Sequence, residues 1–384
     1  MNAVETIGRG TLMLSKSTML ACILQLSFLC THLGGSIAVS TTNAELHPLQ
    51  PQSSHASPPR DSAIGTLPVY WSKELDSELS RTSLFSYKDG QDFSAKVHSE
   101  VVVKLETGCG RPKNLLAILA DGTLVCCRYR ENQFRELRGD LYSYYLSSYL
   151  GLWNAPPTAI VSVNFSSKQW AQVAARAKEE GWRDGSVVAM SLFVNDLRDV
   201  YIAPLVRDIM HKNETITRDG LFSSNKQLDK SEQYKLMQWS DMALFDFLVG
   251  HTDRIFNTLY NYQWNKNMME RKVHNLLKTS DGRLLLIDNE SGFWMGYAMG
   301  ARDPLRYALQ EQLLSKFCIF RRSTVKRMES LTQGSTNPAT KIEEYVKMAD
   351  AHSFNLMQPL DLTQRAEFNS RVSISLELIE ECIK

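Results

Sequence analysis

The run LMQWSDMALFDFLVG, residues 236–250, constrains this chain most, because it is apolar nearly all round. A helix of that kind has no face to give to water and must be buried. It delivers the chain directly into a polar interruption, HTDR at 251–254. A buried helix that ends at a carboxylate places Asp253 at the rim of a core, where geometry is fixed. A second acidic station follows in LLLIDNESGF, where the short apolar strand Arg283–Ile287 ends at Asp288. Phosphoryl transfer asks little covalent chemistry of a protein. It needs one carboxylate to take the proton of the attacking hydroxyl and another to hold metal against the phosphates. Asp253 is the candidate general base, and Asp288 the candidate ligand for Mg²⁺ or Mn²⁺. Taken singly, each has an ordinary structural reading. Asp253 could be a helix-terminal acid paired with Arg254, and Asp288 half of a turn-forming Asp-Asn.

The first half of the chain reads as β-rich. VVVKL at 101–105 suits a strand, and Gly108-Cys109-Gly110 follows it. LLAIL, then Asp121-Gly122, then TLVCCRY reads as a tight hairpin. Gly108 and Gly110 could close their backbone over nucleotide phosphates. Arg128 is placed on the last strand of the small lobe, as a phosphate-contacting cation or else a solvated strand-end charge. A helix through ELRGDLYSYYLSSYLG follows, with Leu137, Leu141, Tyr144, Tyr145 and Ser148 near one face and a stop at Gly151. Asp140 in that helix could pair with Arg128, help hold metal, or simply favour the helix N-terminus. The second half is expected to be mostly helical, through LRYALQEQLLSKF, STVKRMESL and SISLELIEECI. The fold class is therefore α+β, with a β-rich lobe at about 67–205 and a helical lobe at about 206–384.

The N-terminus bears on compartment. Arg9 and Lys16 precede an uncharged stretch, and Thr18–Val39 has about the length of a membrane helix. The basic flank keeps residues 1–17 cytoplasmic and makes this a type II signal anchor. A cleaved signal peptide, with small residues at Ser36 and Ala38, is the rival reading. Residues 40–66, rich in Ser, Pro, His and Gln, read as a lumenal stalk, with cleavage there as a route to a secreted form.

Cys109, Cys126, Cys127, Cys318 and Cys382 lie beyond the anchor, which suggests two disulfides and one leftover thiol in an oxidising lumen. Cys109 would pair with Cys126 or Cys127, and Cys318 with Cys382. Asn164 and Asn213 begin glycosylation sequons; a third, at Asn289, is expected to stay unmodified because a glycan would block the site. The formal net charge of +1 offers no polybasic field, so no nucleic-acid partner is expected.

Longer strings carry a resemblance. QWSDMALFDFLVGHTDRIFNTLYNYQW, VHNLLKTSDGRLLLIDNESGFWMGY and RGDLYSYYLSSYLGLWNAPP, supported by GCGRPKN, YWSKEL and the CIF of FCIFRR, resemble the Four-jointed proteins over residues 67–384. That resemblance implies an atypical protein-kinase-like fold on a Golgi-lumenal type II membrane protein. It implies an ATP-dependent kinase for Ser or Thr in the extracellular repeats of Fat/Dachsous-type atypical cadherins, tuning planar cell polarity and growth. On the match Asp253 corresponds to the catalytic-loop Asp, Asp288 to the metal-binding Asp, and Asp140 to the helix Glu. Arg128 stands where kinases carry a lysine, and its planar fork is not a compact ammonium. Asn257 lies four residues after Asp253, where conventional kinases place a metal-binding Asn at five. Asn257 and Glu290 are therefore candidates for metal or loop support.

Two other classes compete. A catalytically silent, kinase-shaped module that binds cadherins or another secretory kinase would explain Arg128. A Golgi glycosyltransferase would share the anchor and stalk, but the chain has no Asp-x-Asp motif.

Overall fold

The computed structural model describes residues 69–131, 134–223 and 228–384, without the side chains of residues 134, 209, 222, 223 and 306. The expected anchor at 18–39 and stalk at 40–66 lie outside the described residues. No described helix is long and apolar enough to cross a membrane.

Two helices that the sequence reading did not anticipate come first. α1 (Lys73–Arg81) is capped by Ser72, whose hydroxyl accepts from the Leu75 amide at 3.3 Å. α2 (Tyr87–Ser99) opens on a capping box between Ser86 and Asp89. Then follow β1 (Val102–Thr107), β2 (Leu115–Leu119), β3 (Leu124–Tyr129), α3 (Phe134–Tyr149), β4 (Thr158–Ser162), α4 (Ala174–Glu179) and β5 (Val187–Leu192). The strands form one antiparallel sheet in the order β1-β2-β3-β5-β4. The hairpin falls at Asp121-Gly122 as expected, with Gly122 at φ +86°. Arg128 is not on the last strand. β3 is the middle strand of the five, because APPTAIVSV and VVAMSL return to complete the sheet beside it. Alternation sorts its side chains. Val125, Cys127 and Tyr129 face a core with Phe93, Trp170 and Val188, which leaves Cys126 and Arg128 on the opposite face.

The rest of the chain is β6 (Arg198–Tyr201), α5 (Pro204–Lys212), β7 (Ile216–Thr217), α6 (Arg218–Ser223), α7 (Lys230–Val249) and α8 (Ile255–Tyr262). It continues through β8 (Lys272–Lys278), β9 (Leu284–Leu286), α9 (Met295–Arg302), α10 (Pro304–Ser315) and β10 (Phe317–Cys318). The last elements are α11 (Arg322–Thr332), α12 (Pro338–Ala349), α13 (Ala351–Leu356) and α14 (Leu362–Ile383). As expected, α7 is buried from Leu236 to Val249 and stops at Gly250, which takes a left-handed C-cap at φ 69°. This half is not purely helical: β6, β8 and β9 make a second antiparallel sheet.

Trp71, Leu75 and Leu79 belong to the larger core with α7 and α14, which also takes in Ile160 and Ala189 from one face of the five-stranded sheet. The Trp71 amide donates to the Phe320 carbonyl at 3.0 Å, and buried Arg321 joins Asp76 of α1 to Asp241 of α7. Disulfides join Cys109 to Cys126 and Cys318 to Cys382. Between the two candidates for Cys109, strand alternation decides. Cys126 faces the turn, while Cys127 is a buried free thiol in the sheet's core, where burial pushes its pKa up.

Candidate active site

A cavity of about 570 Å³ lies between the two sheets. Its roof is the Gly108–Gly110 turn with Cys126 and Arg128 of β3, and its floor is Leu277, Leu285 and Ile287. Both glycines take positive φ, 146° and 83°, and the Cys109–Cys126 disulfide ties their turn to β3 just before Arg128. Residues 192–197 close one side, and Asp140 and Asp288 close one end. The volume is in the range of small-ligand pockets.

At the acidic end, α3 and the turn after β9 meet around one guanidinium. Arg128 Nη1 pairs with Asp288 Oδ1, lies 3.2 Å from Asp140 Oδ2, and lies 3.5 Å from Glu290 Oε2. Burial alone would disfavour the Arg128 cation, but these acids outweigh it and hold its pKa above the ordinary value. Asp140 is pushed up to about 7, first by burial and then by Asp288 and Glu290, against the pull of Arg128. Glu290 carries further arginines. Arg111 Nη1 lies 2.8 Å from Oε1, and Arg130 Nη2 donates to Oε2.

Among the described residues, no group of three His, Cys, Asp or Glu side chains forms a ready metal cage. The carboxylates converge on Arg128 instead. The donor chemistry nevertheless fits a hard divalent cation, since it is anionic and all oxygen. Asp140 Oδ2 also lies buried at the cavity wall and accepts no hydrogen bond among the described residues.

Asp253 is half-buried and does not line the cavity; both of its carboxylate oxygens are held. Asn257 donates to Oδ1 at 3.0 Å and Asn275 to Oδ2 at 3.1 Å. Asn275 lines the cavity and sits at φ 55°; Asp288 has the same φ, a conformation that Asn and Asp tolerate. Arg254 does not pair with Asp253. It turns inward, fully buried, to Asp246, the Asn275 and Ile287 carbonyls and Asn289. Asp246 is pushed up to about 7 by burial despite that partner.

The site therefore brings together Gly108, Gly110, Arg128, Asp140, Asp288 and Glu290, with Asn257 as a support for Asp253. Arg111, Asn114, Arg130, Glu136, His251 and Asn275 were missed. Arg130 was the most legible of these, since it lies two residues from Arg128, just past the end of β3. Asn164 and Asn213 are exposed. Asn289 is buried, with its amide donating to the Leu286 carbonyl and accepting from Arg254, so that sequon presents no accessible nitrogen.

The profile of the Four-jointed box protein middle domain matches residues 88–384. The chain belongs to the Four-jointed box family. Four-jointed box protein 1 of Homo sapiens is 32% identical over 316 residues, covering 79% of this chain and 70% of that protein. The Xiphophorus maculatus protein of the same name is 34% identical over 281 residues, covering 72% of this chain and 62% of that protein. The Drosophila melanogaster extracellular serine/threonine protein kinase four-jointed is 31% identical over 307 residues, covering 68% of this chain and 52% of the fly protein. The solved Golgi casein kinase superposes with a TM-score of 0.50 at 13% identity, covering 78% of this chain and 76% of that one. This Four-jointed box chain therefore has a kinase-like fold of mixed helix and sheet.

Proposed function

We propose that the chain is an ATP-dependent protein Ser/Thr kinase of the secretory pathway. The observation that carries the reading is the meeting of Arg128, Asp140 and Asp288 at one end of a nucleotide-sized cavity, with Asp253 tied to the same cavity through Asn275. The family relationship to a fly protein named as an extracellular Ser/Thr kinase supports it.

In this reading Asp253 orients the acceptor hydroxyl and takes its proton. Its clamps by Asn257 and Asn275 use one lone pair on each oxygen, so an acceptor position remains on each. Asp288 and Asp140 would hold a Mn²⁺ or Mg²⁺ ion, which supplies charge neutralisation for the phosphates. Arg128 and the Gly108–Gly110 turn hold the phosphates of ATP, and the apolar floor of Leu277, Leu285 and Ile287 takes the base. We assign the acceptor to Ser or Thr in the extracellular repeats of Fat/Dachsous-type cadherins, and the chain to the Golgi membrane as a type II protein. Both assignments rest on the sequence resemblance and on the anchor pattern of residues 18–39.

The test is transfer from γ-labelled ATP to purified cadherin repeats by the full chain, with Mn²⁺ and with Mg²⁺, beside Asp288→Asn. Transfer that disappears in the variant supports the reading, and transfer that persists in it removes Asp288 from the mechanism. A second reading is a silent cadherin-binding module. The direct ion pair between Arg128 and Asp288 favours it, since the cation occupies a would-be metal ligand. Cadherin binding without phosphotransfer by folded chain would select it.

A further inference from the structure

The two arginines on the cleft side of β3 and its end are engaged in different ways. Arg128 makes its contacts through Nη1, shared among Asp140, Asp288 and Glu290. Among the described residues its one hydrogen bond runs from that nitrogen to Asp288. Arg130 commits its whole fork. Nε donates to Glu136 Oε2 at 2.6 Å, Nη1 to Asn114 Oδ1 and to the Tyr129 carbonyl at 2.8 Å each, and Nη2 to Glu290.

These partners sit on separate pieces of the cleft. Glu136 lies in the first turn of α3, one helical turn before Asp140. Asn114 precedes β2, and its amide donates to the Cys109 carbonyl at 3.2 Å, inside the glycine turn. Glu290 lies in the short turn after Asp288. One guanidinium therefore joins the glycine turn, the helix that carries Asp140 and the turn that carries Asp288. Arg130 and its partners Glu136 and Glu290 are all nearly buried, with side-chain exposures of 10%, 8% and 6%. Fixed hydrogen bonds from a pre-organised fork in a dry site orient better than a single ammonium can.

In conventional kinases one small-lobe lysine does two jobs, contacting phosphate and pairing with the helix acid. We infer that this chain divides those jobs between two arginines. Arg130 is the positioning residue that locks α3 through Glu136 and the metal-side turn through Glu290. Arg128, which pairs with Asp140 and Asp288 through Nη1 alone, is the group that meets the phosphates. This inference rests on the kinase reading above and adds a residue to it. The Arg130–Glu136 pair adds a second strand-to-helix brace beside the Arg128–Asp140 pair.

The experiment compares Arg128→Ala, Arg130→Ala, Arg130→Lys and Glu136→Gln in the full chain. It measures equilibrium binding of ATP and of adenosine with Mn²⁺, together with kcat, KM for ATP and Tm. Arg128→Ala is expected to weaken ATP binding by roughly tenfold to a hundredfold and to leave adenosine binding unchanged. Arg130→Ala and Glu136→Gln are expected to leave ATP affinity and KM near wild type. Their kcat should fall on the order of a hundredfold, because the reacting groups are misplaced. Arg130→Lys does not rescue, since one ammonium cannot span Glu136, Asn114 and Glu290 together. The double variant Arg130→Ala with Glu136→Gln falls no further than the worse single one.

The inference is overturned if Arg130→Ala raises KM and loses ATP affinity as Arg128→Ala does, or if Glu136→Gln leaves kcat intact. Where Arg130→Ala is too unstable to assay, Glu136→Gln decides. A wild-type chain that binds ATP without transferring phosphate would sink the kinase reading. The ATP-binding arms of Arg128→Ala and Arg130→Ala would then still decide which arginine holds the phosphates.

Discussion

The Nε2 atom of His251 lies 3.1 Å from the backbone carbonyl oxygen of Asp288. The other ring nitrogen, Nδ1, accepts the backbone N–H of Asp253 at 3.2 Å. Burial, reinforced by Arg254, holds the His251 pKa well below its ordinary value, so the ring is neutral. With Nδ1 accepting, Nε2 carries the proton and donates it to the carbonyl. One buried imidazole thus sets the distance between the two acidic stations.

His251→Ala removes that spacer. Its kcat is expected to fall on the order of a hundredfold, as small displacements of reacting groups do. Leaving the Asp288 carbonyl without its donor should cost about 1–3 kcal/mol of stability. Phosphotransfer kinetics and urea unfolding on the same preparation check both. Wild-type turnover in a folded variant would show that the stations are held by other contacts.

Asn275 clamps Asp253 from a neighbouring strand. Asn275→Ala should lower kcat about tenfold or more while leaving KM for ATP near wild type, because the acid is freed to rotate but the phosphates lose nothing. Asp253→Asn should be far worse, since on the proposed mechanism it removes the proton acceptor itself. Similar losses in the two variants would place the main role of Asp253 in structure and not in proton transfer.

Gly139 lets α3 lie against the acidic turn. A Cβ there would come within 2.6 Å of the Glu290 carbonyl oxygen and 2.7 Å of that of Gly292. Both obstacles are backbone, so neither can step aside cheaply. Gly139→Ala would ordinarily favour a helix by about 1 kcal/mol. Here the clash should reverse the sign and destabilise by about 1–3 kcal/mol, read as a lower Tm, with Asp140 and Asp288 pushed apart and turnover lost.

Asp350 caps α13 and sets an acid limit on stability. Burial works against its charge, but His98 at 3.7 Å and hydrogen bonds from Ser353 and Ser94 outweigh it and hold the pKa at about 2. An unfolded Asp titrates near 3.9. The folded form therefore binds its proton later, and its contribution is present above about pH 4 and lost as pH falls toward about 2. That contribution is about 2–3 kcal/mol. Asp350→Asn should flatten the fall in urea midpoint between about pH 4 and 2. An unchanged acid limb would place the sensitive carboxylate elsewhere.

Much of this site was legible because its signals are local. The apolar run at 236–250 specifies a buried helix, and Gly250 ends it, so Asp253 had to emerge at a core boundary. LLLI before Asp288 specifies a short buried strand ending at an acid. The hairpin at Asp121-Gly122, the approximate site of α3 and the Cys318–Cys382 pairing follow from patterns within a few residues or from a small set of cysteines.

What the sequence determined by itself is which residue types stand at the ends of buried elements, and hence Asp253 and Asp288 as candidate acids of the site, with Asp140 as a further candidate within α3. What only the tertiary structure decided is which of them share a partner. β5 returns to pair with β3 and β4 adds outside it, α1 packs on the helical core, Arg254 turns inward to Asp246, and Arg130 joins Asn114, Glu136 and Glu290. The physical reason is separation along the chain. Helix and strand periodicities report how a side chain faces its own element. The Arg130–Glu290 and Arg128–Asp288 contacts each span 160 residues, and no local pattern encodes where distant elements dock.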